Sequence, residues 1–471
     1  MKEQTNIRYV VLITIAAAFG GLLFGYDTAV ISGTVGSLKK FFIDPRMLDE
    51  LAANSLLGMV VSSALIGCII GGMSGGILAL KLGRRTTMKL AALLFFFSAI
   101  GSAWPEIGFA GIGKGDYSFL SNFIVYRILG GIGVGLASML SPMYIAEVAP
   151  AEKRGYLVSW NQFAIIFGML VVYFINYSIA RQGNDIWLHE MGWRWMFASE
   201  TIPALLYFGL LFSIPESPRW LMLKNFPEKA KKVLVRINGA IKGKNAFIEI
   251  EKSISGRTSG KLFSFGILII VIGVLLSVFQ QFVGINVVLY YAPEIFRNMG
   301  SGTDSALFQT ILVGVINLTF TVIAILTVDR YGRKPLQIIG ALGMAVSMIS
   351  LGFVFYFKMM GIGALIFMLT YVASFAMSWG PVTWVLLSEI FPNRIRGRAM
   401  AVAVAAMWIS NYLVSWTFPM MDKSSSLTNI FHHGFAYWIY GIMGILAALF
   451  VWKIVPETKG KTLEEMEKIW E

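Results

Sequence analysis

Twelve apolar runs succeed one another along the chain, at 9–33, 54–79, 88–105, 119–145, 156–180, 195–214, 264–296, 305–328, 336–357, 361–388, 399–421 and 434–455. A helix needs roughly 20 apolar residues to cross the hydrocarbon of a bilayer. Hydrocarbon offers no water to backbone N–H and C=O groups, so a segment of this length must close its own hydrogen bonds as a helix. The expected fold is an all-α membrane protein with twelve transmembrane helices, and the lipid bilayer is its first partner. Only 14% of the 471 residues are charged, against roughly 25% in soluble domains.

The net charge of +13 invites a nucleic-acid partner, but the distribution excludes one. Lys and Arg crowd the termini and the loops of one side, while Arg127 lies deep within a run. That asymmetry puts both termini in the cytoplasm of a multi-pass cell-membrane protein. Hydrophobicity starts at Tyr9 and continues past the length of a signal peptide, so no cleavable leader is expected. The single cysteine, Cys68, lies in an apolar run, which excludes disulfides and thiolate metal sites. His189, His432 and His433 all fall in short polar connections, so no metal, cofactor or buried histidine relay is expected.

One long polar segment, Glu216 to Lys261, separates the sixth run from the seventh. Ala230, Val233, Leu234 and Ile237 share a face there, which predicts an amphipathic cytoplasmic helix. The expected units are an N-terminal six-helix bundle (1–214), a helical linker (215–262), a C-terminal six-helix bundle (263–455) and a cytoplasmic tail (456–471). Within the tail, Thr462-x-x-Glu465 has the spacing of a capping box. Gly67-x-x-x-Gly71-x-x-x-Gly75 in the second run and Gly131-x-x-x-Gly135 in the fourth let helices approach closely.

The two halves repeat. Glu147-Val-Ala-Pro-Ala-Glu-Lys-Arg154-Gly155 returns as Glu389-Ile-Phe-Pro-Asn-Arg-Ile-Arg396-Gly397, with its matched residues at one constant spacing. Gly83-Arg84-Arg85 answers Gly332-Arg333-Lys334, and Pro215-Glu216-Ser217 answers Pro456-Glu457-Thr458. A duplicated set of six spans implies two related bundles with a site between them. Taken singly, Arg84, Glu147, Arg154, Glu216, Arg219, Asp329, Arg333, Glu389 and Arg396 are solvated charges at the inner ends of spans. Repeated in both halves, they suggest an ion-pair set that closes the inner end when the other end is open. Asp329 opens the second copy where the first has Leu80, so the halves cannot be latched identically.

Polar residues inside the runs mark the candidate site. Gln280, Gln281 and Asn286 surround Gly284 at mid-run, followed by Tyr290 and Tyr291. Carboxamides are costly to leave unpaired in hydrocarbon. An irregular helix that carries them lines either a helix–helix contact or a cavity. Three amides around one glycine favour a site for a neutral, hydroxyl-rich solute. Asp27 in the first run and Arg127 in the fourth are expensive at such depth. They form either a fixed ion pair between helices or a proton site in which Asp27 takes the proton and Arg127 tunes its affinity.

Other classes of function fit poorly. Gly460-Lys461-Thr462 resembles the end of a phosphate-binding loop, but Val455 stands where its first glycine belongs. No nucleophile–base pairing is found in a span, so the chain is not expected to be an enzyme.

The repeated motifs, together with Tyr126-Arg127-x-x-Gly130-Gly131, Pro215-Glu216-Ser217-Pro218-Arg219-Trp220 and Gln280-Gln281-x-x-Gly284-Ile285-Asn286, resemble the sugar porters of the major facilitator superfamily. The likeness is strongest to proton-coupled, xylose-carrying members and runs from about Gly20 to Trp470. It implies the two-bundle major facilitator fold in a bacterial inner membrane, and a monomer that imports D-xylose with a proton by alternating access. The family's sugar-contacting positions fall on Gln162, Gln280, Gln281, Asn286 and Trp384, with Phe24, Tyr290, Asn317, Gly380 and Trp408 nearby. Its proton-coupled members carry an aspartate at Asp27, and Glu200 matches a further acid. Amides supply donors and acceptors to hydroxyls, aromatic faces cover the apolar face of a ring, and Gly380-Pro381 is expected to break the tenth span beside Trp384. Met407 departs from the pattern, standing where the xylose carriers have glutamine. A facilitative uniporter for another aldose, such as glucose, is the main alternative, and Asp27 is the residue that separates the two. A sugar-sensing receptor on a transporter fold is the other, which would need long cytoplasmic signalling extensions where the tail here ends soon after Trp470.

Overall fold

The structure, a computed structural model, describes residues 6–150, 153–255, 262–359, 361–392, 394–459, 465–466 and 470. Twelve helices are long and apolar enough to cross a membrane: Ile7–Gly33, Glu50–Leu82, Arg84–Ala103, Tyr117–Val148, Arg154–Ala180, Asp185–Ser213, Leu268–Asn298, Thr303–Val328, Arg333–Tyr356, Ile362–Ile390, Arg396–Asp422 and Gly434–Lys453. They are spans 1 to 12 in chain order. No strand occurs among the described residues. Asn6, ahead of span 1, bonds to Ile237 of the segment between the halves, and Thr458, after span 12, bonds to Glu389; this side of the bundle is the terminal side, and the opposite end is the far end.

Local chemistry sets where the spans begin and turn. Asp49 caps span 2, its carboxylate accepting from Ala52 N at 2.8 Å, one of the donors a helix start leaves unpaired. Gly83 and Gly332 join spans 2 to 3 and 8 to 9 with φ of +94° and +92°, a left-handed turn that favours glycine. The duplication seen in the sequence is thus a duplication of backbone geometry. Between the halves run the helices Pro218–Leu223, Pro227–Asn238 and Ala240–Ser255. The expected amphipathic face is there, with Ala230, Leu234 and Ile237 buried. Thr462 and the Gly460-Lys461-Thr462 stretch lie outside the described residues.

Span 2 packs along span 4 backbone to backbone. A Cβ on Gly67 would land on the carbonyl oxygen of Ile128, and one on Gly131 would land on that of Ala64. The two glycine ladders therefore face each other, which lets the helices close to a distance no larger residue allows. Within the halves, span 1 packs on span 5 and span 9 on span 12; across them, span 2 meets span 11 and span 5 meets span 8.

Two details differ from the sequence expectation. Span 6 begins at Asp185 rather than 195, so Arg194 joins Arg127 as a fully buried arginine within a span. Its charge cuts the apolar run short, yet it is 1% exposed and its Nη1 donates to both oxygens of the fully buried Glu106 at 3.0 Å and to Ala103 O at 3.0 Å. The indole of Trp193 lies 4.7 Å from the guanidinium. Lysine cannot supply this planar, multiple donation. Arg194→Lys is therefore expected to lower stability by about 1–2 kcal/mol, read as a lower melting temperature in detergent with the charge retained.

The second difference is in span 10. Its break falls at Ser378 (φ −131°, ψ −88°), and the helix resumes at Trp379, so Gly380-Pro381 sits in the new first turn. The proline ring clashes with the carbonyl four residues back, and its missing N–H costs nothing in a first turn. The kink therefore forms just before the pair and not at it. Span 7 is interrupted at Gly284, as the amide cluster led one to expect, into two helices, Leu268–Phe282 and Ile285–Asn298.

Candidate functional site

The joint of span 7 is built around Gly284, whose φ of +90° is left-handed. A Cβ there would collide with the ring of Tyr440 from span 12. Tyr371 of span 10 donates its hydroxyl to Val283 O at 2.7 Å, taking up a carbonyl the interrupted helix leaves open. The two breaks then face one another. Gln280 Nε2 donates to Trp379 O at 2.8 Å and reaches Gly380 O at 3.4 Å. Gln281 Nε2 lies 3.4 Å from Gln280 Oε1, and Asn286 Nδ2 donates to Gln281 Oε1 at 2.6 Å.

The three amides thus form one chain across the broken parts of spans 7 and 10. Gln280 and Gln281 are buried, Asn286 half-buried. Trp384 stands one turn beyond Gly380, where a residue shares the same helix face. It is half-buried. Trp408 of span 11 is 3% exposed, its ring centroid 5.7 Å from that of Phe24 in span 1. Its indole N–H has no partner among the described residues, an open donor at the junction of the halves. Met407 beside it and Asn317 on span 8 are buried, and Gln162 on span 5 is half-buried. Tyr290 is buried, its hydroxyl 3.5 Å from Asn411 Nδ2.

Asp27 and Arg127 meet deep in the first half. Arg127 Nη1 donates to Asp27 Oδ1 at 2.8 Å and Nη2 to Asp27 O at 3.2 Å, with both side chains 0–1% exposed. Phe197 lies 5.3 Å from the guanidinium. Glu200 is fully buried next to Asp27. Both its oxygens, and Asp27 Oδ2, find no donor among the described residues. Two carboxyl groups side by side with one arginine hold room for a proton between them.

The repeated charges at the terminal side pair within each half. Arg84 forks onto Glu147 with two bonds of 2.9 Å, and Arg333 onto Glu389 at 2.8 and 3.0 Å. Ser217 and Thr458 cap the same carboxylates from the repeated Pro-Glu-Ser/Thr motif, Ser217 on Glu147 and Thr458 on Glu389. Glu216 accepts from Arg84 N and Arg85 N, and Glu457 from Arg333 N and Lys334 N. Their acidities nonetheless diverge. Burial dominates at Glu216 and raises its pKa, whereas at Glu457 burial is outweighed by backbone N–H donors and the pKa falls. Arg154 is exposed, Arg396 donates to Phe391 O at 3.1 Å, and Arg219 lies on the helix Pro218–Leu223. The side chain of Asp329 lies outside the described residues.

Hydrogen bonds join the halves at the far end. Asn54 donates to Lys423 O at 3.2 Å, Trp416 Nε1 to Ser55 O at 3.1 Å, and Tyr173 OH to Leu289 O at 3.1 Å. Ser425 bonds to Glu50 through its N–H and its hydroxyl. Sequence reasoning missed several residues of this arrangement: Tyr371, Tyr440 and Trp379 at the breaks, and Asp422 with His433 at the far end. The first three act on backbone from distant spans, a contact that leaves no local pattern. The last two were in view as a span end and a loop, and only folding brings them together.

The sequence model of the family described as "Sugar (and other) transporter" matches residues 13–470. A D-xylose-proton symporter of Escherichia coli (strain K12) is 64% identical over 479 residues, covering 100% of this chain and 98% of that protein. A glucose facilitated diffusion protein of Zymomonas mobilis is 43% identical over 476 residues, covering 100% and 99%. Among solved structures, the inward open conformation of the xylose transporter XylE from E. coli matches with a TM-score of 0.89 at 62% identity, covering 98% of this chain and 100% of that one.

Proposed function

The chain belongs to the sugar transporter family of the major facilitator superfamily, and we propose that it imports a monosaccharide, D-xylose foremost, together with a proton. It is a carrier and not an enzyme: two six-helix bundles, 1–214 and 263–455, rock about a central site in a bacterial inner membrane. The termini, the linker helices (215–262) and the tail (456–471) lie in the cytoplasm, where the positive charge concentrates, and the chain acts as a monomer. The far end is then extracellular. The bonds that tie the halves there fit a conformation closed to the outside.

The observation that carries the reading is the pairing of two sites. One is an amide chain flanked by Trp384, Trp408 and Phe24, suited to ring hydroxyls and a ring face. The other is the sealed Asp27–Arg127–Glu200 cluster in the neighbouring half. Gln162, Gln280, Gln281, Asn286, Trp384 and Trp408 hold the sugar, with Phe24, Tyr290, Asn317, Gly380 and Met407 shaping the cavity. Asp27 takes the proton, Glu200 shares it, and Arg127 competes for the same carboxylate. The charges of Arg84, Glu147, Arg154, Glu216, Arg219, Asp329, Arg333, Glu389 and Arg396 serve closure of the inner end, when pairs now satisfied within each half come together across it. Proteoliposomes test the whole. Adding D-xylose outside should alkalinise the external medium, and an imposed inward proton gradient should drive accumulation. Sugar entry without either effect would leave a facilitative uniporter.

Met407 favours a second substrate reading, an aldose other than xylose. Its thioether offers a sugar hydroxyl no partner comparable to an amide. Met407→Gln is expected to strengthen D-xylose binding by about 0.5–1.5 kcal/mol, the net worth of one hydrogen bond. Isothermal titration of xylose and glucose on both forms decides it. A loss for xylose with a gain for glucose would mean the cavity is not shaped for the pentose.

A further inference from the structure

At the extracellular end, Asp422 closes span 11 and is 1% exposed. Both its oxygens accept from Asn298 Nδ2, the last residue of span 7, at 3.2 and 3.0 Å. His433, eleven residues on, donates from Nδ1 to Asp422 Oδ1 at 3.1 Å. The turn that brings it back is uncommon: His432 and His433 both have positive φ, 48° and 70°, a region few non-glycine residues adopt and histidine more readily than most. His432 is held by Tyr356 O at 2.8 Å. The backbone is thus bent into a disfavoured shape that presents one imidazole to one buried carboxylate.

The outer half of span 7, Ile285–Asn298, has a hinge at its inner end, the left-handed Gly284 clamped by Tyr440 and Tyr371. Its outer end is moored to Asp422. It packs against the first half through the turn after span 1, and its Leu289 carbonyl accepts Tyr173 of span 5. A helix hinged below and tied above can swing only if the tie is released.

We propose that His433 is a positioning residue whose protonation, through Asp422 and Asn298, tightens the outer half of span 7 in its closed place, so that external acidity biases the carrier toward closure of its outer end. This rests on the orientation and alternating access proposed above. The surroundings leave the pair to act alone. Span 11 contributes Asp422 and Lys423, and Lys423 is committed to Glu294 at 3.1 Å. Glu294 in turn pairs with Arg297 at 2.9 Å. Span 9 contributes the uncharged ring of Phe355, the helix Ser425–Phe431 carries no charged side chain, and span 12 brings the neutral Tyr437 and Tyr440 near Asp422. The hydrogen bond to Asp422 raises the pKa of His433 above 6.5, against burial and Lys423. The sign follows. A raised histidine contributes its hold fully below about pH 6.5 and loses it as pH climbs through the higher value. Acid outside, which also drives import, then favours the closed outer mouth.

The test places spin labels at Met47 and Asn429, exposed on either side of the Glu50–Ser425 contact; Cys68 is fully buried and takes no label. Pulsed distance measurements on purified protein, without sugar, run from about pH 6 to about pH 9, the range in which a raised histidine titrates. The short-distance population should fall as pH rises. His433→Asn, which tolerates the left-handed backbone, and Asp422→Asn should each flatten that dependence. The Asp27→Asn background should keep it, which separates this effect from proton coupling. A dependence lost in Asp27→Asn and kept in His433→Asn, or no dependence in the unmutated chain, overturns the inference while leaving the transport reading intact. Should Asp422→Asn fail to fold, His433→Asn alone decides.

Discussion

Asp27→Asn should abolish uphill sugar accumulation while sugar binding survives. A neutral sugar gains nothing from the membrane potential, but a co-transported proton gains about 2.3 kcal/mol per 100 mV, with any pH gradient added. Some group must therefore take up and release that proton, and it must do so out of contact with water at the wrong moment. Asp27 meets this need. It is fully buried, bonded to Arg127 at 2.8 Å through one oxygen, and its other oxygen, beside Glu200, has no donor among the described residues. Arg127 is its ion-pair partner; a rearrangement that drew Arg127 away would leave a buried, unpaired carboxylate, which taking up a proton would relieve. Asparagine keeps the size and can still accept from Arg127, so the fold should stand, but it cannot cycle a proton. The amides and tryptophans lie on other spans and are untouched. Counterflow, which moves no net proton, should persist in part. Accumulation under an imposed pH gradient and sugar-induced external alkalinisation should both vanish. If Asp27→Asn still concentrates sugar, the pair with Arg127 is a fixed clamp between spans 1 and 4, and a uniporter remains.

The spans and the repeat were legible because they rest on length and composition, which hydrocarbon imposes on each segment alone. The glycine ladders were legible for the same reason, as spacing within one helix. What the sequence could not place was any feature whose cause lies in another element. Arg194 was assigned to a loop because only Glu106, from a different connection, makes its burial tolerable. The span 10 break was set two residues late, since the proline acts on the carbonyl behind it. Gly284 was recognised as a joint, but Tyr371 and Tyr440, which fix that joint, read as ordinary span aromatics. The amides were found as a cluster; that Gln280 spends its N–H on the Trp379 carbonyl could not be seen. The histidines were set aside as loop residues, because the turn that aims His433 at Asp422 has no local signature.

Gln281→Ala and Trp384→Ala should each remove most sugar binding without unfolding the protein, and for different reasons. Gln281 is the middle of the amide chain: its oxygen accepts from Asn286 at 2.6 Å, and its nitrogen faces Gln280 Oε1 at 3.4 Å. Truncation would delete the bonds proposed to sugar hydroxyls and leave Asn286 unmoored, so a second amide would lose its aim. Two or three bonds at roughly 1 kcal/mol each, with an unpaired buried group added, amount to about 3 kcal/mol, or more than about a hundredfold in Kd. Trp384 contributes a face and no essential bond. Its loss removes an aromatic wall, a truncation that costs about 2 kcal/mol or more at a binding hot spot, or roughly thirtyfold. Gln280→Ala serves as the contrast. Its N–H goes to the Trp379 carbonyl, so its removal should loosen the break in span 10 as well as weaken binding, and should lower thermal stability where Gln281→Ala does not. Isothermal titration with D-xylose and melting curves on the three purified variants read both quantities. Near-normal affinity in Gln281→Ala and Trp384→Ala together would move the sugar away from the facing breaks of spans 7 and 10. Weakened binding in Gln280→Ala alone would make the break itself, and not the amide chain, the element that recognises the ring.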